Sequence, residues 1–361
     1  MSAFLQKLAQ GGLQILSAER AHNLTVTALR SGLYPRTHAA DDPRLSVRIL
    51  GQYFPNPVGI AAGFDKNALV YNQLLKLGFG FAEAGTVTPL PQPGNEGPRA
   101  FRLPRHKAII NRYGFNNDGM EAVAQRLQTV PPAGILGINV GANKTSTDKA
   151  ADYAACVRRL APFAGFITVN ISSPNTPGLR ALQVGDALDE LLARVVEARD
   201  QVAHGSQPKP LLLKIAPDIT EHQLDAIVRS VAAHRLEGMI VSNTTLDRSL
   251  VSQARHAGEA GGLSGAPLFD RATILLAKTR ERVGPLLPLI GVGGISNGRQ
   301  AVQKLEAGAS LIQLYSALAY QGLPLLQQIK TEMIASLEKQ DVSRVSVLTG
   351  SNVREWASRS Y

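Results

Sequence analysis

The sequence predicts a closed (β/α)8 barrel, the TIM-barrel architecture, preceded by a small N-terminal helical extension. From residue 56 onward, short apolar runs alternate eight times with segments whose apolar residues recur at helical spacing. The runs are apolar throughout rather than at alternate positions, as is typical of parallel strands buried on both faces. The chain's 361 residues suffice for one such barrel. A doubly wound open sheet is the alternative, but it rarely has eight regular units, and no G-x-G-x-x-G motif follows the first strand.

The repeats extend almost to the end of the chain. The eight predicted strands are residues 58–62, 81–86, 135–140, 166–171, 211–215, 238–242, 287–292 and 310–315. The segments with helical spacing are residues 69–78, 119–128, 151–162, 188–203, 220–235, 272–284 and 298–308, with 324–337 after the last strand. We therefore expect one barrel domain over residues 41–361 and a helical extension over residues 1–40.

The loop after the second strand is a long insertion. Residues 87–116 are rich in proline and glycine, and they are predicted to form a short hairpin over the C-terminal face of the barrel. Long loops on this face often carry function.

The N-terminal extension has the pattern of two short helices. Phe4, Leu5 and Leu8 share one face of the first, and Ser17 is placed to cap the second, with Glu19 in its first turn. The residues alone leave two interpretations open: the helices pack against the barrel, or they form an amphipathic hairpin that enters a membrane interface. The basic residues that would then lie near anionic headgroups are Lys7, Arg20, Arg30 and Arg36.

Composition excludes several classes of protein. The net charge of +10 favours anionic partners, but no block of basic residues occurs and aromatics do not interleave with them, so we expect no nucleic acid. The single cysteine, Cys156, excludes an intrachain disulfide and is predicted to pack in the outer layer of the barrel. We expect no signal peptide, and no apolar stretch reaches the ~18 residues that a membrane-spanning helix needs. The protein is therefore expected in the cytosol or on a membrane surface.

Polar residues cluster at the C-terminal ends of the predicted strands, where barrel enzymes carry their reactive groups. Carboxamide side chains dominate, and they are Asn111, Asn116, Asn139, Asn170, Asn175 and Asn243. Since an amide offers both donors and an acceptor, this set suits a flat heterocycle whose edge alternates C=O and N–H groups.

The remaining strand ends narrow the chemistry further. Lys66 and Lys214 could form a Schiff base, bind an anion or stabilise an electron-rich ring. No histidine ends a strand and no acidic set has metal-ligand spacing, so we expect no metal. GVGGI after the seventh strand and LYSAL after the eighth are typical of the phosphate site that barrels build there. Together these residues predict a phosphate-bearing cofactor and a small, flat, amide-rich acid.

Eight motifs also carry a resemblance to a known family. They are AAGFDKN (61–67), NRYGFNN (111–117), NISSPNTPGLR (170–180), KIAPD (214–218), SNTT (242–245), GGLSG (261–265), GVGGI (291–295) and LYSAL (314–318). In this order and spacing the chain resembles the class 2, quinone-dependent dihydroorotate dehydrogenases. NRYGFNN and NISSPNTPGLR are long and specific, whereas KIAPD or GVGGI alone would be weak signals.

The resemblance implies oxidation of (S)-dihydroorotate to orotate in de novo pyrimidine (UMP) biosynthesis. FMN would accept the hydride, and a membrane quinone would be the final electron acceptor. Ser173 would be the catalytic base, and because an unassisted serine is a poor base, its proton would leave through a hydrogen-bond chain, through Thr176 and a water near Phe115. Class 1 relatives, which are soluble, resemble this pattern but carry cysteine at the position of Ser173.

The resemblance also assigns ligand contacts by motif. Those to FMN would come from Ala61, Ala62, Gly63, Phe64, Asp65, Thr86, Asn139, Asn170, Lys214, Ser242, Gly265, Gly294, Tyr315 and Ser316. Those to the substrate would come from Lys66, Asn111, Arg112, Tyr113, Gly114, Phe115, Asn170, Asn175, Asn243 and Thr244. The extension would reach the membrane quinone, which favours the membrane-interface interpretation. The protein is then expected to be a monomer, attached peripherally to the cytoplasmic face of the cell membrane.

Three rival functions remain at this stage. An aldolase or isomerase barrel would use Lys66 or Lys214 as a Schiff base and would be colourless, whereas a flavoprotein is yellow. A 2-hydroxy-acid oxidase would need a histidine base and an arginine pair at strand ends, which the pattern lacks. A membrane-associated barrel that binds a metabolite as a sensor would show no turnover.

Overall fold

The computed structural model describes residues 15–34, 40–176, 178–183, 185–203 and 207–360. Its strands are β1 (Val47–Ile49), β2 (Gln52–Phe54), β3 (Val58–Asp65), β4 (Phe81–Val87), β5 (Ala100–Leu103), β6 (Ala108–Asn111), β7 (Leu136–Val140), β8 (Phe166–Asn170), β9 (Leu211–Ile215), β10 (Gly238–Val241), β11 (Gly262–Gly265), β12 (Leu289–Val292) and β13 (Leu311–Leu314). Its helices are α1 (Ala18–Arg30), α2 (Tyr71–Lys76), α3 (Met120–Thr129), α4 (Lys149–Leu160), α5 (Asp186–Ala203), α6 (Glu221–Ala233), α7 (Phe269–Val283), α8 (Gly298–Glu306), α9 (Ser316–Gln321), α10 (Leu325–Lys339) and α11 (Val353–Ala357).

Eight parallel strands close into the predicted barrel. Their order around the barrel is β3, β4, β7, β8, β9, β10, β12 and β13, which pairs again with β3. Every residue of β8 and β9 is buried, as the uninterrupted apolar runs predict. Each predicted strand overlaps an observed one, so the (β/α)8 fold is confirmed.

A short hairpin, which the sequence analysis did not predict, closes the N-terminal end of the barrel. Strands β1 and β2 pair in antiparallel fashion, and Phe54 at the end of β2 is completely buried. Its ring meets that of Phe81 edge to face at 5.5 Å, and Phe81 meets Phe166 at 6.1 Å. The two partners begin β4 and β8, so these three rings fill this end of the barrel and leave the other end for a site.

The predicted hairpin over the C-terminal end is present as β5 and β6, and it gains a third strand. Strand β11, from the loop after β10, pairs antiparallel with β6. A separate small core joins these strands, with Phe101, Ile110 and Leu263 buried in it. The insertion that carries β5 and β6 (residues 87–116) and the loop that carries β11 are thereby held together over the C-terminal end of the barrel. We call these two loops the roof.

Helix α1 confirms the second predicted helix of the extension. Ser17 caps it by accepting a hydrogen bond from the Arg20 backbone N–H at 3.4 Å, with Glu19 in the first turn. Glu19 forms an ion pair with Arg99, beside β5, which fixes the helix to the roof. The first predicted helix, with Phe4, Leu5 and Leu8, lies outside the described residues. In the ranges that are described, no helix has the length and apolar character to cross a bilayer.

The outer layer of the barrel includes the C-terminal segment, which carries no sequence motif. Trp356 of α11 is buried against Phe269 of α7, at 6.1 Å between ring centroids, so the C-terminal segment covers the outside of the barrel. Cys156 is fully buried in α4, as predicted, and its burial raises the pKa of the thiol.

Candidate active site

Most of the predicted site residues meet in one cavity at the C-terminal end of the barrel. The cavity has a volume of about 1130 Å³ and extends from the strand ends, past the roof, to α1. The predicted residues that line it are Ala61, Ala62, Gly63, Phe64, Lys66, Thr86, Asn111, Tyr113, Gly114, Phe115, Asn170, Ser173, Asn175, Lys214, Ser242, Asn243, Thr244, Gly265, Gly294, Tyr315 and Ser316.

A polar belt of five buried side chains lies at the base of the cavity: Glu83, Thr86, Asn139, Asn170 and Gln313. The Glu83 carboxylate accepts hydrogen bonds from Asn139 Nδ2 (2.7 Å) and from Gln313 Nε2. Asn139 Oδ1 in turn accepts from Thr86 Oγ1 (2.6 Å) and Asn170 Nδ2 (3.0 Å). Because a carboxylate only accepts, the belt fixes which way each amide points.

The belt continues into the loops that follow β8 and β10. Asn170 Oδ1 accepts a hydrogen bond from Ser172 Oγ (2.8 Å), and Ser172 Oγ accepts one from Asn243 Nδ2 (2.9 Å). Asn243 Oδ1 accepts from the Thr244 backbone N–H (2.8 Å). Ser172, for which the sequence predicted no role, therefore links two predicted ligand-binding residues, Asn170 and Asn243.

Ser173 faces the cavity from a tight turn and is 6% exposed. Its Oγ accepts a hydrogen bond from the Asn175 backbone N–H at 3.2 Å. A donor aimed at this oxygen favours its negatively charged form, so the hydroxyl gives up its own proton more readily.

Arg180 ties the Ser173 loop to two neighbouring strand ends. Its guanidinium donates to the carbonyl oxygens of Ser172 (3.2 Å) and Thr244 (3.0 Å). The same group forms an ion pair with Asp218 at 2.9 Å. Arg180 thus joins the residue before Ser173 to the predicted substrate-binding Thr244.

Lys66 projects into the side of the cavity that faces α1. Its Nζ lies 3.2 Å from His22 Nε2 and 4.5 Å from the centre of the Tyr113 ring. Burial lowers the pKa of Lys66 to about 8, although the nearby carboxylates of Glu19 and Asp65 raise it. Burial and the Lys66 charge hold the pKa of His22 well below its ordinary value, so the imidazole is neutral at physiological pH.

Lys214 supplies a second cation, from the end of β9. It is 5% exposed and lines the cavity, and its Nζ donates no hydrogen bond to any other residue in the described ranges. Burial lowers its pKa, and the charge of Glu83 partly opposes this effect. A buried ammonium with unused donors suits an electron-rich ligand edge.

The residues also fit a phosphate-bearing cofactor. Gly265 and Gly294 both adopt positive φ, and a Cβ would lie 2.3 Å from the Lys107 carbonyl oxygen or 2.5 Å from Phe269 Cα, respectively. Only glycine therefore permits this cradle, which leaves backbone groups open to a phosphate. Ser316, at the start of α9, lines the same region. Gln313 Oε1, at the base of the cavity, is a buried acceptor without a hydrogen-bond partner in the described structure.

Three predicted site residues do not line the cavity. The Asp65 carboxylate accepts hydrogen bonds from the backbone N–H groups of Leu69 and Val70, both at 2.7 Å, just before α2. Asn139 lies within the polar belt. Arg112 points away to form an ion pair with Glu259 at 2.6 Å. Their assignment as ligand contacts stays a prediction.

Several cavity residues were missed from the sequence. Among them are His22, Arg102, Ser264 and Gln313. Asn116, one of the predicted strand-end amides but not one of the predicted ligand contacts, also lines the cavity, and its Oδ1 is buried without a partner among the described residues. Ser264 lies inside the GGLSG motif and Gln313 directly precedes LYSAL, so their positions in the sequence could have identified them. His22 and Arg102 lie in segments with no strand-end signal.

Known proteins that are similar to this chain are dihydroorotate dehydrogenases, the family whose motifs line the cavity. The dihydroorotate dehydrogenase family matches residues 44–337. Proteins described as dihydroorotate dehydrogenase (quinone) from Brucella melitensis and Brucella ovis are each 51% identical over 361 residues, with 99% of both chains covered. A crystal structure of Eimeria tenella DHODH in complex with ferulenol has a TM-score of 0.90 at 34% identity, covering 94% of this chain and 96% of that one. The ligand-free Eimeria tenella form has a TM-score of 0.89 at 36% identity, covering 92% and 99%.

Proposed function

The chain belongs to the dihydroorotate dehydrogenase family, and from this premise we propose FMN as its hydride acceptor and a membrane quinone as its final electron acceptor. Its reaction is the oxidation of (S)-dihydroorotate to orotate in pyrimidine biosynthesis. The observation that carries the proposal is the convergence of Ser173, Lys66 and Lys214 on one cavity, together with Asn170 and Gln313 of the polar belt.

FMN fits the part of the cavity next to β9, β12 and β13. The glycine cradle at Gly265 and Gly294, with Ser316, would hold its phosphate. Lys214 would stand at an electron-rich edge of the ring and favour negative charge there. Bound here, FMN would accept a hydride from the substrate and pass the electrons on.

The substrate would lie between Ser173 and Lys66. The Lys66 ammonium would pair with the carboxylate, and the amides of Asn111, Asn175 and Asn243 would meet the C=O and N–H groups of the ring. Ser173 Oγ would take the proton from carbon, supported by the Asn175 N–H that already points at it.

The quinone would enter along α1. The cavity continues there between Ala21, Leu24 and Leu29 of the helix and Leu323 of the barrel, so its outer part is apolar. Leu24 and Leu33 are 51% and 76% exposed, which suits contact with a membrane interface. We propose that residues 1–40 form this membrane-facing extension and residues 41–361 the flavin-binding barrel. The protein would act as a monomer, peripherally attached to the cytoplasmic face of the cell membrane.

The base is tested by Ser173→Ala. The expected variant is yellow, with wild-type flavin content, and dihydroorotate bleaches its flavin absorbance about 10²- to 10⁴-fold more slowly at pH 7. Rapid mixing without oxygen or quinone measures this step alone. Ser343→Ala, which removes the same hydroxyl from an exposed position, is the matched control.

Two results would contradict the proposal. A colourless wild-type protein that takes up no flavin would remove the cofactor. An undiminished bleaching rate in Ser173→Ala would show that another group removes the proton.

A further inference from the structure

Helix α1 lines the cavity with His22, and it carries Glu19 one turn earlier. Glu19 and His22 are three residues apart, so they project from neighbouring positions on one face of the helix. Glu19 pairs with Arg99 beside the roof, and His22 Nε2 lies 3.2 Å from Lys66 Nζ. The extension that would face the membrane therefore touches the lysine that would hold the substrate carboxylate.

The contact has a defined direction. A neutral imidazole has one nitrogen that accepts, and an ammonium only donates, so Lys66 donates to His22 Nε2. Lys66 Nζ makes no other hydrogen bond in the described part of the chain, and it lies 4.5 Å from the centre of the Tyr113 ring. His22 itself is held by the ring of Phe64, edge to face at 5.4 Å. A flexible four-carbon side chain is thus oriented at its tip by one residue of α1 and one of the roof.

We propose that His22 is a positioning residue for substrate binding: by accepting a hydrogen bond from Lys66, it holds the ammonium where the substrate carboxylate docks. The inference rests on the proposed function, which supplies the carboxylate. It makes α1 part of the substrate site as well as of the quinone path. Because binding linkage is reciprocal, a quinone that displaces His22 lowers affinity for orotate, and orotate lowers affinity for that quinone equally.

The test compares two substitutions of His22 in the flavin-loaded full chain. His22→Leu keeps bulk but removes the acceptor, whereas His22→Gln keeps an acceptor that cannot be protonated. Orotate is titrated into the oxidised protein, and its dissociation constant is read from the change in the visible flavin spectrum, without turnover. We expect the constant to rise about tenfold in His22→Leu and to stay within about threefold of wild type in His22→Gln.

Controls separate positioning from general damage. Asn23→Ala changes an exposed neighbour on the same helix and is expected to bind orotate as the wild type does. Rapid mixing with dihydroorotate should show a higher half-saturating concentration in His22→Leu, while the limiting bleaching rate stays within about twofold. If His22→Leu loses flavin, His22→Ala replaces it in the same titration.

The outcomes are distinct. Wild-type orotate affinity in a flavin-replete His22→Leu variant would overturn the inference, and the proposed role of α1 would then be limited to the quinone path. So would a loss that His22→Gln does not restore, since that would be a packing effect. A wild-type protein that binds flavin but no orotate would instead refute the proposed function.

Discussion

Arg180→Met should slow catalysis without removing the flavin. Arg180 is 21% exposed and donates to the carbonyl oxygens of Ser172 and Thr244 while pairing with Asp218. Methionine has a similar reach but no donors, so both carbonyl groups and the carboxylate lose a partner. The loop that carries Ser173 would then no longer be held to the end of β10.

The magnitude follows from these three contacts. A hydrogen bond to a charged group contributes about 1.5 to 3 kcal/mol, and partial exposure reduces each of these to about half, roughly 0.7 to 1.5 kcal/mol. Asp218 keeps hydrogen bonds from Thr245 Oγ1 and the Leu246 backbone N–H and an ion pair with Arg271, so removal of Arg180 costs this carboxylate little. The two carbonyl contacts then give about 1.4 to 3 kcal/mol, or a ten- to hundredfold lower rate if Ser173 must be in place for proton removal.

The assay is the limiting rate at which dihydroorotate bleaches the flavin in rapid mixing. Arg194→Met is the control, because Arg194 forms ion pairs with Asp148 and Glu190 and makes no hydrogen bond or ion pair with the described residues of the Ser173 loop. An unchanged rate in Arg180→Met, or an equal loss in Arg194→Met, would refute the reasoning. Loss of flavin from Arg180→Met would show that the contact holds the barrel rather than the loop.

Two further predictions concern buried lysines. Since the pKa of Lys66 is lowered to about 8, its side chain is charged below that pH and neutral above it. The dissociation constant for orotate, measured by spectral titration, should therefore rise above pH 8. Lys66→Met should bind orotate weakly at all pH values. Lys304 is fully buried, 5.1 Å from the Phe269 ring centre, without a hydrogen-bond partner among the described residues, and burial holds its pKa well below the unfolded value. The unfolded chain therefore binds the Lys304 proton more strongly at neutral pH, which destabilises the folded state. Lys304→Met should raise the melting temperature, measured by calorimetry, by about 2 to 4 °C at pH 7 and by less at pH 10. A lower melting temperature in the variant would contradict this prediction.

The barrel strands could be predicted because each is buried on both faces and so reads as an apolar run. The strands that were missed lack this property. β11 is the four residues Gly262–Gly265, whose pairing with β6 depends on a partner about 150 residues away in the chain. β1 and β2 are three residues each, too short for a periodic signal, and only Phe54 shows their role by its contact with Phe81.

The site residues likewise differ in how well the sequence predicts them. Those at strand ends, such as Asn170 and Lys214, reach the cavity because the barrel geometry places every strand end there. Beyond a strand end, a motif gives a residue's position but not its direction. Asp65 is the last residue of β3, three residues beyond the predicted end of the strand. Its carboxylate turns away from the cavity to the backbone N–H groups of Leu69 and Val70 before α2, because these donors would otherwise be unpaired.

The same reasoning explains why His22 had no sequence signal and why it matters. On α1 it is one polar residue in an amphipathic pattern, which a surface helix would show equally well. Its role arises only where the helix docks on the barrel, and one contact that holds the helix there is the ion pair between Glu19 and Arg99, which are 80 positions apart in the chain. A strand-end lysine such as Lys66 can be predicted from the chain alone, whereas the group that orients it comes from another element. The residues that tune a barrel site are therefore expected in the segments that lie outside its repeats.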